Sequence, residues 1–346
     1  MNDDRPRAGC RSAAARRTNA AWWKQLALAV PLAAWIGAGC TNRLPLPDEP
    51  VAEGTGTGEI AYVVQYRWLD VPRFGDMVLT VGILFVVEDS TRVRAYISDK
   101  ATPVVNQGFS LPDPVVVGGQ TLGKPVQLAA GVDKTLWVAF REPSNRLVQF
   151  KLTSPPTDTG LWVDAWQVQS IGGIAADADS GFVYVSDERG NQVAKYEPTS
   201  AGGNRVALLA VQGNGDLTVR EPRGLYCYGD SLLVVDSGKN WIQVISADVA
   251  HSGRGQVLGP IDEPLVLHDP VDAWVDASGR YYVAEQGRVL QITPQGQIKE
   301  IVTDLDTQAA ALPAAVVANT TQVWVADPLG MRCTIYQINT VSEELP

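Results

Sequence analysis

Six times along the chain one short strand returns: LFVVE (84–88), LWVAF (136–140), VYVSD (183–187), LLVVD (232–236), YYVAE (281–285) and VWVAD (323–327). Successive copies lie 52, 47, 49, 49 and 42 residues apart. Self-similarity at such a period marks a repeat architecture, in which each copy is one unit that cannot bury its apolar face alone. The third residue of every copy is valine: Val86, Val138, Val185, Val234, Val283 and Val325. The second is large (Phe85, Trp137, Tyr184, Leu233, Tyr282, Trp324), and the fourth is mostly small (Val87, Ala139, Ser186, Val235, Ala284, Ala326). Successive strand residues point to opposite faces, so one face carries Val and the other sets large beside small. Both faces are apolar, which requires each sheet to be covered on both sides. Large beside small lets neighbouring sheets interdigitate at interior density. Four-stranded sheets stacked radially satisfy all of this, so the expected fold is all-β, a six-bladed β-propeller.

Each copy has a matching prelude. Pro125, Pro222, Pro270 and Pro313, with Gly172 in the third copy, precede a short apolar strand and a turn. After each anchor comes a polar turn and a third strand, such as NQVAKYEP or NWIQVIS. The unit is strand-turn-strand-turn-strand with a ragged fourth strand outside. The last copy ends too soon to supply its own outer strand, while IAYVVQYRWL (60–69) stands unassigned before the first blade. Pairing the two closes the circle and hides an open sheet edge. The propeller is therefore expected over residues 59–346.

VYVSDERGNQV and LLVVDSGKNWIQV resemble the NHL repeat, whose pattern runs Pro-x-Gly, apolar strand, turn, then V-Y-V-A-D-x-x-N-x-R-V. Asp187/Asn191 and Asp236/Asn240 stand at its expected separation. Phe140 and Glu285 depart from it, and the Asn recurs in only two blades. The resemblance covers roughly residues 74–340 and implies a six-bladed propeller without indicating an activity.

The polar cluster Asp187, Glu188, Arg189 and Asn191 looks chemical, but Asp236 and Asp327 repeat its first member wherever the second strand meets its turn. A side chain with that periodicity reads as a turn device: Asp accepts a backbone N–H nearby, and Asn tolerates the left-handed region. GDSL (229–232) resembles the nucleophile block of GDSL esterases, yet it falls on the first turn of blade four, where that family needs strand, turn and helix. His251 and His268, the only two histidines, read as loop residues.

The N-terminus reads as export machinery. Arg5, Arg7, Arg11, Arg16, Arg17 and Lys24 precede the apolar run LALAVPLAAWIGAG, Leu26 to Gly39. That run suits a signal peptide better than a membrane span. Gly37-Ala38-Gly39-Cys40 resembles a bacterial lipobox, although Gly37 stands where a branched residue is usual. The resemblance implies acylation at Cys40, with an ordinary cleaved signal or an uncleaved anchor as alternatives. Residues 1–39 are thus expected as a lipoprotein-type signal peptide and 40–58, rich in Pro, Gly and Thr, as a tether. The localisation that follows is the cell envelope, anchored by lipid, with the outer membrane as the expected surface. Cys227 and Cys333, in different strands of different blades, read as buried free thiols.

The formal net charge of -10 includes the basic leader, so the folded part is more acidic still. Such a surface repels phosphate backbones, which excludes nucleic acid as a partner. In a propeller the first strands line the central channel, and the residues entering them converge. Here those are Asp76, Lys124 with Gln127, Glu221 with Arg223, and Asp269 with Asp272. No catalytic residue set emerges. Asp76, Asp269 and Asp272 are the candidate metal ligands, and calcium is the ion their oxygens would suit. Two function classes follow. The first is a non-enzymatic envelope lipoprotein whose propeller binds a small ligand or an envelope protein. The second is a calcium-dependent hydrolase, as resemblance to six-bladed lactonases of the gluconolactonase type implies.

Overall fold

The repeated strand is the second strand in each of six sheets. The computed structural model describes residues 60–177, 179–212, 218–247, 256–257, 267–293, 297–302 and 313–340. The expected signal peptide, the tether, Cys40 and His251 lie outside them. Their secondary structure is 24 strands and one 3-10 turn, Ser237–Lys239. No helix among them is long and apolar enough to cross a membrane.

The chain opens with β1 (Ile60–Leu69). Blade 1 is β2 (Phe74–Thr80), β3 (Ile83–Glu88) and β4 (Arg92–Ile97). Blade 2 adds a hairpin strand β5 (Val115–Val117) to β6 (Gln120–Gly131), β7 (Thr135–Glu142), β8 (Arg146–Lys151) and β9 (Thr157–Asp164). Blade 3 comprises β10 (Ile171–Ala176), β11 (Val183–Asp187), β12 (Gln192–Glu197) and β13 (Asn204–Val211). Blade 4 comprises β14 (Pro222–Tyr228), β15 (Ser231–Asp236), β16 (Trp241–Ser246) and β17 (Gln256–Val257). Blade 5 comprises β18 (Asp272–Val275), β19 (Tyr281–Glu285), β20 (Arg288–Ile292) and β21 (Ile298–Val302). Blade 6 is built from β22 (Ala315–Ala318), β23 (Gln322–Asp327) and β24 (Arg332–Thr340), with β1 outside β24.

The ring closes as the unassigned segment predicts. β1 pairs antiparallel with β24 from Ile60↔Thr340 to Leu69↔Arg332. Trp68 is fully buried there and donates from Nε1 to the Lys100 carbonyl of blade 1 at 3.0 Å. Inner strands β2, β6, β10, β14, β18 and β22 neighbour one another in turn, with β22 returning to β2.

The columns of the repeat sort onto the blade interfaces, which form six separate cores. Val86 packs between blades 6 and 1, Val138 between 1 and 2, and Val185 between 2 and 3. Val234, Val283 and Val325 continue the series, so the Val face meets the preceding blade. Phe85, Trp137, Tyr184, Leu233, Tyr282 and Trp324 each join the core on the other side, toward the following blade. Every residue of both columns is at most 4% exposed, as sheets covered on both faces require.

Candidate functional site

The corner carboxylates are structural. Asp187, fully buried, accepts the backbone N–H groups of Gln169 (2.9 Å), Ser170 (3.0 Å) and Gly190 (2.9 Å) and the side-chain amide of Gln192 (3.1 Å). Asp236 accepts from the Arg220 backbone N–H at 3.0 Å and Gln243 Nε2 at 2.6 Å. Asp327 accepts from the Gly330 N–H at 3.0 Å and Arg332 Nε at 2.9 Å. The motif asparagines do more than turn. Asn191 (φ 50°) accepts the Glu221 N–H of the next blade at 2.7 Å, and Asn240 (φ 57°) accepts the Asp269 N–H at 2.9 Å. They stitch blade 3 to 4 and blade 4 to 5, a role the local pattern does not reveal.

Ser231 opens β15 directly after the Gly229–Asp230 turn and pairs with Ser246, so no helix follows it. His268 is exposed, and its backbone N–H binds Glu285 Oε2 at 2.6 Å.

Register shifts interrupt β2, β10 and β14 near their starts and β6 at Pro125/Gln127, midway along it. Such bulges re-aim the side chain that follows. The position after the bulge, opposite the small column, is Asp76, Gln127 and Gly173 in blades 1–3. It is Asp272 in blade 5 and Ala315 in blade 6, with Gly224 in the corresponding place in blade 4. This is the innermost ring. A Cβ on Gly173 would lie 2.5 Å from the Arg223 carbonyl oxygen, and one on Gly224 would lie 3.1 Å from Asp272 Cα. Glycine at both places lets β10, β14 and β18 approach closely.

The two ring acids each brace the next blade. Asp76 Oδ2 accepts the Leu128 N–H at 2.6 Å, and Asp272 Oδ2 accepts the Val316 N–H at 2.8 Å. Asp272 Oδ1 also takes the Ala273 N–H at 2.8 Å. Burial, then the charge of Asp272, pushes the Asp76 carboxyl well above the usual carboxylate range. Burial raises Asp272 to about 7 against the lowering effect of its two N–H donors. Asp272 is half-buried and still faces the cavity, so water moderates that effect.

From this ring a cavity of about 270 Å³ runs along the inner strands. Asp76, Gln127 and Asp272 form its floor. Its walls include Met77, Leu79, Leu128, Ile174, Tyr226 and Trp274. The exposed lining residues are Asp179 and Gly229, at the turns between first and second strands, where the mouth lies. The cavity thus opens on the face opposite the loops that lead into the inner strands. Trp274 covers the blade 6 side: its Nε1 donates to the Ala318 carbonyl at 2.8 Å and its ring lies 4.5 Å from that of Tyr226.

The remaining expected channel residues stay on the loop face and do not line this cavity. Arg223 pairs through Nε with Glu188 (3.1 Å) and through Nη1 with Asp269 (3.1 Å). Glu221 is exposed, and Lys124 pairs with Glu142. Asp269 is therefore held apart from Asp76 and Asp272. Among the described residues no three His, Cys, Asp or Glu side chains converge on a common point. Calcium takes six to eight oxygens, backbone carbonyls and waters included, of which Asp76, Gln127 and Asp272 would supply only part. Both Cys227 and Cys333 are free; Cys333 is buried, whereas Cys227 is half-buried and lines the cavity. Burial raises each thiol to about 12.

This architecture defines the class: a six-bladed β-propeller closed by its N-terminal strand. No protein-family model and no curated relative matches the sequence. Solved structures match the fold. A structural genomics protein of unknown function from Bacteroides thetaiotaomicron is 14% identical, with 82% of this chain and 73% of that one covered and a TM-score of 0.57. An auxiliary nutrient binding protein from the same organism is 12% identical, with 81% and 77% covered and a TM-score of 0.56. A catalytically inactive virginiamycin B lyase from Staphylococcus aureus, solved with quinupristin, is 12% identical, with 81% and 99% covered and a TM-score of 0.51. At these identities the likeness is one of fold.

Proposed function

We propose that this protein is an exported, lipid-anchored propeller that acts as a non-enzymatic binding platform in the cell envelope. The observation that carries the reading is the channel cavity. Its walls are apolar and aromatic, and its two floor carboxylates brace backbone N–H groups of adjacent blades. Concave apolar sites with a few fixed polar groups are the usual form of small-ligand pockets. The nutrient-binding propeller with which it shares a fold supports the same reading.

β1 begins at Ile60 beside Thr340, at the end of blade 6 that carries the first turns, and the cavity mouth lies on that face. A lipid on Cys40 would tie the chain to the membrane 20 residues before Ile60, which enters the ring on that face.

Membrane fractionation of the full chain beside Cys40→Ser tests the anchor, and native mass spectrometry of the extracted protein tests the binding. The wild type should sediment with membranes, carry lipid on Cys40 and retain a non-covalent small molecule. A Cys40→Ser chain that still sediments with membranes contradicts the lipid anchor. An extracted protein free of any adduct that instead turns over a lactone contradicts the platform.

A further inference from the structure

The cavity lining is chemically one-sided. Among the described residues it contains Asp76, Asp272, Asp177 and Asp179 and no Lys, Arg or His, the Lys195 ammonium acting on Asp177 from outside the lining. Asp177 is fixed in its turn, accepting the Asp179 N–H at 2.9 Å and the Ser180 hydroxyl. Its hydrogen bonds hold its carboxyl below the usual range, so it keeps its charge at the mouth. At the deep end Asp272 lies against Gly224, whose missing side chain leaves the carboxylate room: a Cβ there would sit 3.0 Å from Asp272 Oδ1. Two residues farther along the same strand, Tyr226 meets Trp274 in a tilted aromatic pair. The side-chain amide of Gln127 and the hydroxyl of Tyr226 make no hydrogen bond to the described residues, although both residues line the cavity. Aromatic faces beside carboxylates attract cations that bring their own apolar surface. An inorganic ion would leave the Leu, Met and Ile walls bare, and an anion would meet the ionised Asp177 at the mouth and no cationic side chain in the lining.

We infer that the channel cavity binds a small organic ammonium group, its charged head between Asp272 and the Tyr226–Trp274 pair and its carbon body against Met77, Leu128 and Ile174. This deepens the binding-platform reading and rests on it. The group is either a free amine or the ammonium of a membrane headgroup, since the mouth lies on the face where the chain enters the propeller.

Calorimetry of the folded protein with choline, and with the uncharged isostere 3,3-dimethylbutan-1-ol, decides it. Choline should bind saturably at one site, at least tenfold tighter than the alcohol, and weaken as salt is raised. Asp272→Asn should cost choline tenfold or more. Because that change also removes a brace, Gln127→Lys serves as the second variant: it breaks no hydrogen bond yet places a cation on the floor, and it should abolish choline binding while leaving the thermal midpoint in place. Sedimentation with phosphatidylcholine vesicles separates the sources. Vesicle binding that free choline competes away assigns a headgroup, and choline binding without vesicle binding assigns a free amine. Equal affinity for choline and the alcohol, or choline binding unaffected by Gln127→Lys, overturns the cation assignment and leaves the cavity as a neutral apolar site. The absence of saturable choline binding overturns it as well. Neither result touches the anchor or an adduct retained from the envelope, so the two readings fail separately.

Discussion

Asp76 and Asp272 occupy a ring otherwise made of an amide and small residues, and each serves a neighbour's backbone. Both carboxyls are held above the ordinary range, so between about pH 4 and 7 the folded chain binds more protons than the unfolded one. The stability they contribute is therefore greatest at and below the unfolded pKa and falls as pH rises through that window, levelling for Asp272 above about 7. The slope is at most about 1.4 kcal/mol per pH unit for each group, and less for Asp272, which faces cavity water. Asp177, held low, acts only below this window. Urea unfolding should give a lower midpoint at pH 7.5 than at pH 5.5, with the difference reduced in Asp272→Asn. A pH-independent midpoint contradicts the assignment.

Among the elements, the inner strands depend on glycine at two of six ring positions. Gly173→Ala would drive a Cβ to 2.5 Å from the Arg223 carbonyl oxygen and 2.8 Å from the Leu225 nitrogen, both backbone atoms that cannot swing away. It should destabilise by about 1–3 kcal/mol, as overpacking does. Gly75→Ala, whose Cβ would come no closer than 3.8 Å to its neighbours, should be neutral or slightly stabilising. Equal midpoints for the two variants would contradict the close approach. The same scale shows what was legible in the sequence. The Val and large-small columns mark the second strands because alternation and two-sided burial leave few residue types at those places. The corner Asp is legible because it repeats. Asn191 and Asn240 read only as turn formers, since their partners lie on the next blade and nothing local encodes that bond. Trp274 had a signal: its column holds Val78, Ala129, Ala175, Tyr226 and Val317, and only blades 4 and 5 place a large aromatic there. The site itself was half legible. Asp76, Gln127 and Asp272 line one cavity, whereas Glu221, Arg223 and Asp269 do not line it, and Arg223 is paired with Glu188 and Asp269 instead.

At the scale of the molecule, six two-sided sheets need a closed circle, and the circle here is closed by the first strand of the domain pairing with the last. That closure covers the β24 edge, buries Trp68 against Phe74 and Tyr96 of blade 1, and brings the chain into the propeller on the face where the cavity opens. The shape of the channel and the face on which the chain enters the ring both rest on it. The most direct measurement is equilibrium unfolding of a chain beginning at residue 41 beside one beginning at residue 70. A ring closed by β1 predicts that the shorter chain fails to fold or loses more than the roughly 3–5 kcal/mol that truncating one buried Trp costs. An unchanged midpoint would mean that residues 60–69 are not part of the ring.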